Sequence, residues 1–200
     1  LLAIDDTGNP AAIYDKIHLV PFGEYLPLQP LLEAIGFRQL TKMRGGFASG
    51  TSPRPLLRLP GLPPITGLIC YEAIFPASVV QGDDRPGLIV NVTNDGWFGN
   101  TTGPRQHLHQ ARVRAVEEGV PLVRAANNGI SAMIDAHGRV TASLGLNARG
   151  VIDQRLPPPL PQPPIYARWG NGIVLMNGMI FLVILGGLMF RRVKQLSIQR

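Results

Sequence analysis

Residues 67–76, GLICYEAIFP, decide how this chain is read. Leu68, Ile69 and Cys70 close a short apolar run that begins at Ile65, just after Pro63-Pro64. A bounded run of that length reads as a buried strand. Cys70, the only cysteine, therefore stands where a strand ends and the chain turns, with Tyr71-Glu72 opening a short helix. Strand ends in α/β proteins gather ligands and reactive groups, whereas most free cysteines are small buried hydrophobes. Position alone leaves both readings open, and the flanking sequence has to choose.

Upstream, Leu1–Ile4 and Ala11–Lys16 read as two strands of a hairpin around the turn Asp5–Pro10. Pro21–Pro27 (PFGEYLP) is a fixed loop, and Leu28–Ile35 is a short helix stopped by Gly36. Thr41–Pro55, rich in Gly and Pro, is expected as a mobile flap before a strand at Leu56–Leu59. Downstream, Leu88–Val92 is a buried strand leading into Thr93–Asn100 (TNDGWFGN). A helix follows from Pro104, a residue suited to the first helical position, to Glu118. Strands are expected at Pro121–Ala126, Ile130–Asp135, Val140–Leu144 and Val151–Gln154. Pro157–Pro164 (PPPLPQPP) reads as a stiff polyproline-type spacer. Strands alternating with few short helices fit an α/β or an α+β layered sheet.

Ile173–Phe190 is apolar except for Asn177 and gives way to Arg191-Arg192-Val193-Lys194. At helical rise it is about 27 Å long, near the hydrocarbon thickness of a bilayer. The expected division is a globular domain over 1–156, a Pro-rich linker over 157–169, a membrane span over 170–190 and a basic tail over 191–200. Basic flanks stay cytoplasmic, so residues 1–168 face the other side, with Tyr166 and Trp169 at the outer interface. Four of the six net positive charges lie in that tail, and no basic patch with interleaved aromatics marks a nucleic-acid partner. A single cysteine excludes an internal disulfide.

A thiol nucleophile needs a cation that favours its thiolate and faces the developing oxyanion, and a carboxylate that takes its proton. Cys70 and Lys16 fit the first two roles, although 54 positions separate them. The carboxylate is left open. Glu24 sits in a rigid loop, and Glu72 is either a surface residue or a second carboxylate beside the thiol. Trp97-Phe98, in a Gly-rich loop after a strand, either line a pocket or cap the core. His107 and His109 are two apart, which puts them on different helix faces, so no metal site is expected. His18 and His137 carry no context for a Cys–His dyad, and no phosphate loop or Gly-x-Ser-x-Gly elbow is present.

Three ordered motifs, YDKIHLVPFGEYLP at 14–27, GLICYEAIFP at 67–76 and NVTNDGWFGNTTGPRQH at 91–107, resemble the nitrilase, or carbon-nitrogen hydrolase, superfamily. More narrowly they are similar to the apolipoprotein N-acyltransferases of bacterial inner membranes. The resemblance implies a four-layer αββα sandwich, here without its N-terminal part, followed by one C-terminal membrane helix. It implies a Glu–Lys–Cys triad in which Lys16 is the lysine and Cys70 the nucleophile. Glu24, Tyr71 and Glu72 match supporting active-site positions, and Trp97 the family's aromatic loop. The general-base glutamate belongs upstream of the lysine, yet residues 1–15 hold only Asp5, Asp6 and Asp15. The expectation is therefore a C-terminal fragment, inactive alone.

For the full protein the resemblance implies acyl transfer from a membrane phospholipid, through a Cys70 thioester, to the N-terminal diacylglyceryl-cysteine of an apolipoprotein. It implies no cofactor, a bilayer as partner and a catalytic domain on the periplasmic side. Trp97, Phe98 and the 41–55 loop would guide lipid chains. A membrane-tethered nitrilase-type amidase is the alternative within enzymes. A non-catalytic anchored domain is the alternative outside them, and a nucleic-acid-binding module is weaker than either.

Overall fold

The computed structural model describes residues 1–36, 47–82 and 84–198. Residues 41–46 of the expected flap and 199–200 of the tail lie outside the described residues. The chain opens with strands β1 (Leu2–Ile4) and β2 (Pro10–Ile13), an antiparallel hairpin. Helix α1 (Gln29–Ala34) begins with a proline and is followed by Gly36. A six-stranded sheet follows, in the spatial order β3 (Leu56–Leu57), β4 (Ile65–Ile69), β5 (Leu88–Asn94), β6 (Leu122–Asn127), β7 (Ser131–Ile134), β8 (Val140–Leu144). The central strands β4, β5 and β6 are parallel, and the others join them antiparallel.

Strand side chains alternate between two cores, as the pleat dictates. Leu68, Ile89, Leu122, Ala132 and Ile134 point to one face and pack against Ala111 and Ala115 of α2 (Gly103–Glu118). Ile65, Leu88, Val90 and Val123 point to the other and meet Ala12, Tyr14 and Ile17 from the hairpin side. Helix, sheet and hairpin thus stack as three of the four expected layers. Gly67 makes the close approach possible, since a Cβ there would lie 2.9 Å from Cδ1 of Tyr14.

Strand β2 ends at Ile13, earlier than expected, so Lys16 lies in a loop. Beyond Tyr14, whose N–H still donates to the Leu1 carbonyl, the chain leaves the ladder, and the N–H groups of Ile17 and His18 donate to the buried Glu72 carboxylate. Val151–Gln154 is not a strand either. It crosses a sheet face, where Ile152 joins Val123, Met133 and Leu144 around one cavity and Leu156 reaches the second core. The proline-rich stretch is not a free spacer. Leu160 N–H donates to the Gly119 carbonyl at 2.8 Å, pinning the stretch to the end of α2. Residues expected as linker then form helix α3 (Ile165–Trp169).

Helix α4 (Gly172–Ile198) contains the 18-residue apolar segment Gly172–Met189, with mean hydropathy 2.2 and none of it buried. By length and composition it suits a membrane crossing.

Helix α2 ends on Gly119, whose φ of 64° is a left-handed cap that glycine adopts without strain. Just before it, Glu118 is buried, and that burial pushes its carboxyl up to about 7 from 4.5, against the opposing charge of Arg85. A carboxyl raised in the folded state contributes stability that is full below its unfolded value and is lost as pH rises through the folded one. The window is therefore about pH 4.5 to 7. Glu118→Gln is expected to raise the melting temperature of the full-length protein at about pH 8 and leave it nearly unchanged at about pH 4, a difference on the order of 3 kcal/mol. Thermal denaturation at the two pH values checks it.

Candidate active site

Three loops leave the C-terminal edge of the parallel strands, where open α/β sheets place their reactive groups. Cys70 follows β4 and opens a 3-10 turn, Cys70–Ile74; Asp95 follows β5 and opens another, Asp95–Phe98. Cys70 has φ 52°, in the left-handed region that side chains avoid. Such strain costs about 1–3 kcal/mol and persists only where neighbours over-determine it. Those neighbours lie on both sides of the sheet.

On the hairpin side the fixing group is Glu72, fully buried within the 3-10 turn. Its Oε1 accepts from the Tyr14 hydroxyl at 2.7 Å, from Ile17 N–H at 3.0 Å, from His18 N–H at 3.1 Å and from Arg54 at 3.2 Å. Its Oε2 accepts from Ile69 N–H at 2.7 Å. Arg54 also donates to the Tyr14 hydroxyl and to the Gly67 carbonyl. Burial pushes the Glu72 carboxyl up, but Arg54, Ile69 N–H, Tyr14 and His18 N–H outweigh it and hold it below the ordinary carboxylate range. The same burial raises the Tyr14 phenol, against Arg54.

Lys16 and Glu24 form a second pair. Lys16 Nζ lies 2.7 Å from both oxygens of Glu24, and Glu24 Oε2 also accepts from Val20 N–H at 2.9 Å. Both line a cleft of about 470 Å³ with Asp15, Leu19, Phe47, Ser49 and Ile69, the residue before Cys70. A cation seated on a fixed carboxylate at a strand end that bears a cysteine can stabilise a thiolate or an oxyanion.

On the helix side, three buried polar residues meet behind the Cys70 turn. Arg124 of β6 donates to Asp95 Oδ2 at 2.7 Å and to the Asn91 side chain, whose amide donates to the Leu68 carbonyl at 3.1 Å. His107 of α2 lies 2.9 Å from Asp95 Oδ1 through Nδ1 and 3.1 Å from the Cys70 carbonyl oxygen through Nε2. Burial raises Asp95, but the His107 bond and the Arg124 charge bring it below the ordinary carboxylate range. Burial lowers the Arg124 guanidinium, and Asp95 opposes that.

The carbon-nitrogen hydrolase family model matches residues 1–161. The chain belongs to that family. Among curated relatives, the apolipoprotein N-acyltransferase of Rhodopseudomonas palustris is 56% identical over 187 residues, covering 92% of this chain and 34% of the relative. The apolipoprotein N-acyltransferase of Bradyrhizobium diazoefficiens is 59% identical over 171 residues, 86% of this chain and 32% of the relative. The chain spans about a third of the length of these relatives. Among solved structures, an amidase from Nesterenkonia sp. is similar with TM-score 0.46 and 23% identity, over 72% of this chain and 49% of that one.

In this carbon-nitrogen hydrolase chain, Lys16, Glu24 and Ile69 share one cleft, with Cys70 next along the strand end. Tyr71 stands edge-on to Phe75, ring centroids 5.5 Å apart. Trp97 is 72% exposed and Phe98 38%, so neither caps the core. His107 is buried and His109 exposed, as their spacing requires, and no cluster of metal-ligating side chains occurs among the described residues. His137 is exposed in the β7–β8 turn, at the end of the sheet opposite Cys70.

Sequence reasoning missed Tyr14, Arg54, Asp95 and Arg124, and it weighed His107 only for a metal site, which it did not expect. An arginine inside the apolar run Leu122–Ala125 was a legible signal, because a charge in a buried strand needs a partner. Arg54, between two prolines, offered none.

Glu72→Gln keeps the shape but leaves the Arg54 charge uncompensated in the interior. It is expected to lower stability by roughly 3–5 kcal/mol, whereas Tyr14→Phe should cost about 1–2 kcal/mol. Denaturation of the two variants gives the comparison; equal and small losses would sink the assignment of Glu72 as a buried clamp.

Proposed function

We propose that the full-length protein is an N-acyltransferase that moves an acyl chain from a membrane phospholipid to the α-amino group of an apolipoprotein's N-terminal diacylglyceryl-cysteine. The observation that carries this reading is the Lys16–Glu24 pair in a cleft beside the strained strand-end cysteine. The names of the relatives, and an apolar helix suited to a bilayer, support the choice of lipid substrates.

In the first half-reaction the Cys70 thiolate attacks the ester carbonyl carbon. The C–S bond forms, the C–O bond breaks and the lysophospholipid leaves as an alcohol. In the second, the amine attacks the thioester carbon, the C–N bond forms and the thiolate departs. Lys16 faces the developing oxyanion, and Glu24 holds that cation in place. By family resemblance, a glutamate upstream of Lys16 in the full protein takes the thiol proton and gives it to the departing alkoxide. It then takes a proton from the attacking amine and returns it to the released sulfur. Glu72 serves as a positioning group, because its oxygens are already engaged by five donor residues. Tyr71 borders the nucleophile, and Trp97 and Phe98 receive acyl chains from the bilayer.

Residues 1–156 form the catalytic domain on the periplasmic side of the inner membrane, and 157–169 join it to the span. Residues 170–190 make that span, and 191–200 the cytoplasmic tail.

Full-length protein incubated with phospholipid should carry a hydroxylamine-labile acyl group on the Cys70 peptide and should acylate a diacylglyceryl-cysteine peptide. Cys70→Ala should abolish both, as mass spectrometry of enzyme and product will report. Hydrolysis of small amides without transfer of lipid acyl groups would favour the tethered amidase instead. Trp97→Ala should weaken use of lipid substrates more than alkylation of Cys70 by a small reagent, and equal losses would count against its lipid role.

A further inference from the structure

His107 lies within the third sequence motif yet has no part in the proposed chemistry. It is 3% exposed, and its two ring nitrogens face two different acceptors, Asp95 Oδ1 at 2.9 Å and the Cys70 carbonyl oxygen at 3.1 Å. A carbonyl oxygen only accepts, and so does an ionised carboxylate; one imidazole between them needs an N–H on each edge. Arg124 Nη2 also lies 3.2 Å from Nδ1, but its 2.7 Å bond goes to Asp95 Oδ2, so the guanidinium and the imidazole share one carboxylate. Arg124 Nε is buried with no hydrogen-bond partner among the described residues, and the Cys70 thiol is within electrostatic reach of the same guanidinium. Asp95 and Arg124 are the charged groups that face the ring, with the Cys70 carbonyl at its other edge and the Phe98 ring edge-on at 5.8 Å.

We infer that His107 is a positioning residue for Cys70: an imidazolium held between Asp95 and the Cys70 carbonyl that fixes the strained nucleophile turn and, with Arg124, lays a cationic floor beneath the thiol. Its donor is spent on the backbone of the nucleophile, so it moves no proton in the reaction. Its effect is twofold. The bond to the carbonyl holds Cys70 in the left-handed region, and the positive charge favours the thiolate over the thiol. Gly129, in the loop after β6, leaves the space that Asp95 fills, since a Cβ there would collide with the Asp95 carboxylate.

The catalytic consequence rests on Cys70 being the nucleophile, but the geometry and the following readout do not. In the full-length protein, alkylation of the Cys70 peptide by iodoacetamide is followed by mass spectrometry at about pH 7.5 and about pH 10, where free thiols are ionised. His107→Gln is expected to slow alkylation about tenfold at the lower pH and to recover most of the rate at the higher one. His109→Gln, on the exposed side of α2, should match wild type at both. Equal loss at both pH values, or no loss, overturns the electrostatic role. Should His107→Gln fail to fold, nitrogen-15 spectra of histidine-labelled wild type decide. Two protonated ring nitrogens on His107 at about pH 7.5 support the inference, and a single one overturns it. Acyl transfer that survives in Cys70→Ala would sink the thioester reading while leaving these outcomes intact.

Discussion

The buried Glu72 carboxylate joins several separate segments of the chain. Its oxygens take donors from the hairpin (Tyr14), from the loop carrying Lys16 (Ile17 and His18), from the segment before β3 (Arg54) and from the last residue of β4 (Ile69). A carboxylate removed from water is tolerated only with that degree of compensation. The geometry it imposes puts the Lys16 loop against the strand end that bears Cys70. Were this single group unpaired, the desolvation penalty would fall on the very contacts that assemble the cleft.

The opposite face of the sheet holds the same turn by different means. There the Cys70 carbonyl is met by His107, with Asp95 and Arg124 behind it, and Arg114 of the same helix donates to the Ile74 carbonyl at 3.0 Å. The 3-10 turn is thus gripped at its start and at its end by one helix, and from beneath by its own Glu72. A left-handed cysteine survives in such a setting because any relaxation of its backbone would break bonds on both faces. Helix α2 ends where Leu160 N–H donates to the Gly119 carbonyl, so the segment leading to the apolar helix α4 docks on the element that holds the Cys70 turn.

Much of the fold was legible from periodicity. The strands at Ile65–Ile69, Leu88–Asn94 and Val140–Leu144 follow bounded apolar runs, and α2 follows its proline start and glycine stop. The errors have local physical causes. Val151–Gln154 has the composition of a strand but no neighbour to pair with, and the Ala11–Lys16 strand gives way after Ile13 to a loop whose Ile17 and His18 N–H groups donate to Glu72. The proline-rich stretch is stiff, as composition requires, yet it lies along the domain because one of its N–H groups finds an acceptor there.

By itself the sequence determined the alternation of strand and helix, the strand-end position of Cys70, the apolar helix and the residue types of the cleft. Those are properties of short windows, in which burial, turn chemistry and hydrophobic spacing act between near neighbours. Tertiary structure alone decided that Glu72 is a buried clamp, that Lys16 rests on Glu24, and that Asp95, His107 and Arg124 meet behind Cys70. The last of those meetings depends on the parallel order of β4, β5 and β6, which brings residues far apart in sequence to one edge of a sheet. Whether a charged side chain is exposed or buried, and so what it can do chemically, is set by partners that no local pattern encodes.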